Sequence, residues 1–388
     1  MPIAFVVLAV ALLAVAVVWV VKPRLSGPAT PPSNEASPAP PSPAPVPPSC
    51  SDAEAVVNTM STRDKLAQLL MVGVTGADDA RAVVADHHVG GIMIGSWTDL
   101  SMLQDGSLRE IVASSGPLPL AVSTDEEGGR VQRLSSIIGS QPTPRELAAT
   151  SSPEEVYNIA LQRGLAMKEL GITVDFAPVV DVTDAPDDTV IGDRSFGADP
   201  QTVTTYAGEY ARGLRDAGVL PVLKHFPGHG HGSGDSHTGG VGTPPLEQLL
   251  ADDLIPYQTL TTQHPVAVML GHLQVPGLTG TDPASLSKPA YDLLRSGGYG
   301  GPPFTGLVYT DDLSGMAAIT DYYGVPEAVL AALQAGADVA LWITTDDVPA
   351  VLDSLEQAVN SGQLSMDRVN ESVTRVAASK SANPTCGG

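Results

Sequence analysis

Basic residues are scarce in this chain: 20 Lys and Arg stand against 43 Asp and Glu, a formal charge of −23, and no run of Lys or Arg occurs anywhere. A nucleic-acid ligand is thereby disfavoured, because its phosphates require a cationic footprint. The acidity speaks for solubility and for repulsion from anionic surfaces, and by itself it identifies no substrate. Cysteine is nearly absent too; its two occurrences, Cys50 and Cys386, bracket the part of the chain that can fold. No small-residue cleavage site closes the N-terminal apolar run, and no Cys follows a lipobox-like Leu-x-Gly, which favours a retained segment over a cleaved one. A His-Glu-x-x-His pattern, the helical signature of many metal sites, is also missing.

The N-terminal run is the first feature that is present. Pro2 to Val21 carry no charge and are almost wholly apolar; as a helix, at roughly 1.5 Å per residue, they would reach about 30 Å, the thickness of a bilayer core. Residues 1–25 therefore read as a membrane anchor or signal sequence, with cleavage near Pro28-Ala29-Thr30 as the alternative. Residues 26–50, dense in Pro, Ala and Ser, cannot build a core and read as a semi-extended spacer. Lys22 and Arg24 follow the apolar run, which by the positive-inside rule argues for a cytoplasmic body. The spacer and the cysteine pair argue against that, and outweigh it in favour of the extracytoplasmic face or secretion. In an exported protein, Cys50 and Cys386 suggest one disulfide joining the first element of the domain to the last, with a ceiling of about 5 kcal/mol in the chain-entropy model.

Residues 51–388 alternate short β-branched runs with helix-patterned segments. The runs are Leu69–Val74, Gly91–Gly95, Pro119–Thr124, Thr173–Val180, Val219–Lys224, Val266–Gly271, Gly306–Thr310 and Asp338–Ile343. Eight strand-then-helix units predict a (β/α)8 barrel of the TIM type, with an open doubly wound sheet as the alternative. Polar residues follow these runs: Asp125 and Glu126, Asp181, His225, His272, Asp311 and Asp312, and Thr344 with Asp346. In a barrel the carboxyl ends of all strands share one mouth, so these residues would converge on a single pocket.

Three constellations suit chemistry. Asp311 and Asp312 directly follow the seventh run; one carboxylate there can serve as a nucleophile while the other caps the next turn, and Asp311 is taken as the functional one. The Gly-rich stretch from Lys224 to His237 holds four of the histidines and Asp235. If it is locally extended, Asp235 and His237 project to one side, and the carboxylate can raise the imidazole pKa towards the working pH of a general acid and base. The rival reading of this stretch is a metal site built from His225, His229, His231, His237 and Asp235. The third constellation is the loop Thr124 to Arg133, with Asp125, Glu126, Glu127, Arg130 and Arg133; together with Arg194 and the Lys224-His225 pair it offers acceptors and donors suited to a polyhydroxylated or acylamido ligand.

Together these blocks resemble glycoside hydrolase family 3, and within it the single-domain N-acetyl-β-glucosaminidases that trim peptidoglycan fragments. The likeness spans nearly all of residues 60–380, and the stretch from Lys224 to His237 follows the pattern K-H-F-P-G-H-G-x-x-x-x-D-S-H without a gap. The resemblance implies Asp311 as nucleophile, the Asp235-His237 dyad as acid/base, and Asp125, Arg133, Arg194, Lys224 and His225 on the sugar-binding positions. It implies no metal or other cofactor and a GlcNAc-containing glycan or muropeptide as substrate; separately, the chain is expected to be a monomer. Two departures occur: Glu126 replaces the usual Gln, and Gly315 separates Ser314 from Met316. The mechanism implied is retaining hydrolysis, with phosphorolysis ranked lower because no dedicated phosphate cluster is visible. A metal-dependent barrel hydrolase and a non-catalytic glycan-binding module are the remaining alternatives.

Overall fold

In the computed structural model, residues 50–380 are described. The anchor expected over residues 1–25, the spacer up to residue 49 and the Cys50–Cys386 pairing lie outside the described residues. Among the described residues no helix is long and apolar enough to cross a membrane.

The short apolar runs form parallel strands: β1 Leu70–Val74, β2 Gly91–Ile94, β3 Ala121–Thr124, β4 Val174–Asp175, β5 Leu220–Phe226, β6 Ala267–Leu270, β7 Val308–Thr310 and β8 Ala340–Trp342. They lie side by side in chain order, and β1 pairs with β8 as well as with β2, Leu70 opposite Ala340 and Met71 opposite Gly91. A bridge between Tyr309 and Val339 joins β7 to the approach of β8, so the sheet closes into the expected TIM-type barrel. Closure explains the composition of the strands. Every residue of β1, β2, β3, β6, β7 and β8 is buried, and a strand with helices on one face and the barrel interior on the other must be apolar on both.

Two strand boundaries depart from expectation. The run expected from Thr173 to Val180 pairs continuously only at Val174–Asp175, with one further bridge from Val179 to Lys224; Pro178 has no N–H to give to a ladder. β5 runs two residues past the expected end at Lys224 and takes His225 and Phe226 into the sheet, with a register shift between Leu223 and Phe226. Lys224 and His225 are therefore held on a strand end and not on a loop.

The outer helices start at legible signals. Ser152 and Glu155 form a reciprocal capping box ahead of Pro153–Glu169, and the Asp199 carboxylate caps Pro200–Asp216 through Thr202 N–H at 2.9 Å. These two helices approach closely because Gly213 has no side chain; a Cβ there would lie 2.6 Å from the Tyr157 carbonyl. At the opposite end of the barrel from the mouth, Asp338 just before β8 is fully buried and receives Arg295 at 2.5 Å, Arg375 at 3.0 Å, Arg368 at 3.2 Å and the Ser372 hydroxyl at 2.7 Å. This clamp ties the last strand to the C-terminal helix Met366–Lys380.

Candidate active site

At the end of β7 the two aspartates have different surroundings. Asp312 accepts from Ser314 N–H at 2.8 Å and its hydroxyl at 3.0 Å through one oxygen, and from Gly315 N–H at 2.9 Å through the other. A Cβ on Gly315 would lie 2.4 Å from that second oxygen, so the glycine that departs from the family pattern is what lets this turn close on Asp312. Asp311 spends only Oδ1, on the N–H of Asp312 at 2.9 Å, and leaves Oδ2 uncommitted. Burial alone would raise the Asp311 pKa; His225, His272 and Lys224 outweigh it and hold the carboxyl below the usual range.

Behind it lies a charge network built from β3, β5 and the turn Gly192–Arg194. Lys224 Nζ sits 2.7 Å from Asp125 and 2.6 Å from Glu127. Glu127 in turn takes Arg194 through both oxygens, at 2.7 and 2.9 Å, and Arg133 stands 3.6 Å from Asp125. Burial would lower the Lys224 ammonium, but the Asp125 and Glu127 carboxylates more than offset it and hold it above its ordinary value. Glu127 would likewise be raised by burial, and Arg194 and Lys224 bring it far below the carboxylate range. His225, from the same strand end, places Nδ1 2.7 Å from Asp181 Oδ2, and that buried carboxylate also accepts the backbone N–H of His225 at 3.2 Å and of His229 at 2.7 Å.

The Gly-rich loop forms the lip of the mouth. Gly230 is required for its course, since a Cβ there would lie 1.9 Å from the Val182 carbonyl. The Asp235-His237 dyad forms at 2.7 Å between Asp235 Oδ1 and His237 Nδ1, but not by the extended geometry expected. Asp235 Oδ1 also accepts His237 N–H at 2.9 Å, and Thr238 N–H returns to the Asp235 carbonyl at 3.0 Å, so a turn stabilised by the Asp side chain makes the pair. With Nδ1–H on the carboxylate, Nε2 is the nitrogen left to exchange a proton. The loop is docked on the segment after Asp311: Ala318 N–H reaches the Ser236 carbonyl at 3.1 Å, and Ala317 N–H the His237 carbonyl at 3.5 Å.

The metal set weighed from sequence is not assembled. His225, His231 and His237 each face a different carboxylate, Asp181, Asp253 and Asp235. Among the described residues the one His/Asp group compact enough to hold an ion is His231, Asp252 and Asp253, without Asp235 or His237. Glu126 is fully buried, ion-paired with Arg163 and accepting Arg133 and Leu134 N–H at 2.8 and 2.9 Å; it presents no edge to a ligand. Thr344 and Asp346 stand exposed after β8. Glu127 is the residue whose place sequence reasoning understated: its only signal was its position after Asp125 in a charged loop. His229 also gains weight, with Nδ1 buried and unpartnered beside the His225 ring. His272 hands Nε2–H to the Asp312 carbonyl at 2.7 Å and accepts the Ser285 hydroxyl at 2.6 Å, bracing the end of β7.

Residues 61–379 match the model of the glycosyl hydrolase family 3 N-terminal domain. The chain is 67% identical over 354 residues to a protein named β-hexosaminidase LpqI from Mycobacterium tuberculosis, covering 91% of each chain. The solved structure of M. tuberculosis LpqI superposes with a TM-score of 0.85 at 68% identity, covering 88% of this chain and all 100% of that one. A family 3 β-N-acetylglucosaminidase from Paenibacillus sp. superposes with a TM-score of 0.77 at 36% identity, over 83% of this chain and 62% of that one.

Proposed function

The chain belongs to glycosyl hydrolase family 3, and from that membership we propose a β-N-acetylhexosaminidase that hydrolyses terminal β-linked N-acetylglucosamine from cell-wall peptidoglycan fragments. The observation that carries this reading is the pairing of a free Asp311 oxygen, buried and held ionised, with a docked Asp-His turn that leaves His237 Nε2 unengaged. The names borne by the relatives support the amino-sugar substrate.

The reaction is retaining. Asp311 Oδ2 attacks the anomeric carbon while His237 gives the Nε2 proton to the departing glycosidic oxygen; water then enters, His237 takes its proton, and the Asp311–sugar bond breaks. An imidazole that has given up its proton is neutral, so no second negative charge faces the intermediate. Lys224, Arg194, Arg133, Asp125 and His225 bind the sugar hydroxyls, their positions set before substrate arrives by ion pairs among Lys224, Arg133 and Asp125, by Glu127 on Arg194 and by the Asp181 hydrogen bond to His225. The chain acts as a monomer at the extracytoplasmic face, held by its N-terminal segment; the apolar run and spacer support that placement.

The test is release of nitrophenol from its N-acetyl-β-glucosaminide in phosphate-free buffer with EDTA, wild type against Asp311→Ala. Turnover by the wild type, lower by at least about a thousandfold in the variant, is expected. Turnover that required added phosphate or metal, or that survived in the variant, would overturn the reading.

A further inference from the structure

A cavity of about 560 Å³ opens at the amino ends of the barrel strands, on the face opposite Asp125, His225 and Asp311. That volume suits a small organic molecule. Its walls are mainly apolar, including Leu120, Val219, Leu307 and Val339, yet Lys168, Arg215, His264, Arg375 and Lys380 also line it, and among the described residues around it there is no Asp or Glu. In a chain of net charge −23 a lining with bases and no acid calls for a physical reason.

Arg375 has its counter-charges in Asp338 and Glu371. Arg215 does not. Its Nη1 is buried without an acceptor, its Nη2 has only a 3.4 Å contact with Gln263, and the neighbouring Asp216 is engaged by the Tyr157 hydroxyl at 2.9 Å. Lys380 Nζ donates to two neutral acceptors, Gln68 Oε1 at 2.9 Å and the Gly90 carbonyl at 2.6 Å. Burial without an anion draws its ammonium down to about 7. A buried guanidinium N–H left unpaired is costly, and an anion on Arg215 relieves it.

We infer that this cavity is a binding site for an amphipathic anion, with an apolar body against Leu120, Val219 and Leu307 and a carboxylate or phosphate-type head on Arg215, Lys380 adding to the positive field. It is separate from the glycosidase centre and does not depend on that reading.

Calorimetric titration of the full chain with decanoate, decanol and inorganic phosphate tests the site, using wild type, Arg215→Met and Thr305→Trp, the last placing a bulky ring at the exposed rim of the cavity. Decanoate is expected to bind the wild type more tightly than either decanol or phosphate. Arg215→Met should weaken it at least about tenfold, as loss of a charge-assisted hydrogen bond does, and Thr305→Trp should abolish it, with glycosidase turnover kept in both. Absence of decanoate binding, equal affinity for decanol or for phosphate, or unchanged affinity in both variants would overturn the proposal.

Discussion

At the residue scale, Asp311 and Asp312 share a strand end and differ in what their oxygens touch. Asp312 holds a turn together, so Asp312→Ala should cost stability, about 1–3 kcal/mol for its unpaired donors, measured by denaturant unfolding. His237→Ala should slow glycosides with poor leaving groups far more than activated aryl glycosides, because only the former need a proton. Equal losses on both would remove His237 from the acid/base role. Lys224→Met strips Asp125 and Glu127 of a shared buried cation, and a loss of about 2–4 kcal/mol in kcat/KM is expected. It should also move the acid limb of the pH profile. Asp311 must be ionised to attack; burial pushes its pKa up and His225, His272 and Lys224 push it down, so removing Lys224 raises that pKa and shifts the limb to higher pH. A limb that stays in place would show that Lys224 does not act on Asp311.

Elements decide which of these residues meet. β5 carries Lys224 and His225 into the mouth as part of the sheet, and the Gly-rich loop beyond it folds back so that Ser236 and His237 rest on residues 317–318. The far end of the barrel depends on Asp338, whose carboxylate would be raised by burial and is held low by Arg295, Arg375 and Arg368. The sign follows: a carboxylate with a depressed folded pKa stabilises above its unfolded value, and that stability is lost as pH falls through the folded one. Asp338→Ala leaves three arginines facing each other and should cost about 3–5 kcal/mol, read as a lowered midpoint of chemical unfolding. A shift below about 1 kcal/mol would mean the arginines find other partners.

For the whole molecule, the barrel separates two ends: a mouth whose charges are paired and poised, and a base with positive charge left over. Lys380 reports on the second. Its half-buried ammonium is drawn down to about 7 by desolvation in the folded chain, from an ordinary value of about 10.4 in the unfolded one. Between those values the unfolded chain binds more protons, so stability rises with pH there; below about 7 both states are charged and the burial cost is fully felt. Lys380→Met should therefore raise the melting temperature at acid pH and do much less at alkaline pH. An identical change at both would show that the ammonium is hydrated in the folded chain.

Much of this molecule was legible before folding was considered. The count and spacing of apolar runs imply eight strands because a barrel strand must be apolar on both faces, and the polar residues just beyond the runs mark the mouth because all strands run one way. The stretch from Lys224 to His237 is readable because glycines and catalytic side chains coincide in it. What sequence could not determine were the contacts each side chain would make, whether through a nearby turn or with a segment distant in the chain. Whether Glu127 or Glu126 would meet Lys224 depended on the course of one short hairpin, Glu126–Gly128 against Val131–Gln132. Which of two adjacent aspartates kept a free oxygen depended on Ser314 and Gly315 closing a turn. That His225 and His231 would each face a carboxylate from another segment, and that Arg215 and Lys380 would line one cavity with no acid among its described lining residues, depended on closure of the barrel, which brings together side chains whose separation along the chain carries no record of the contact.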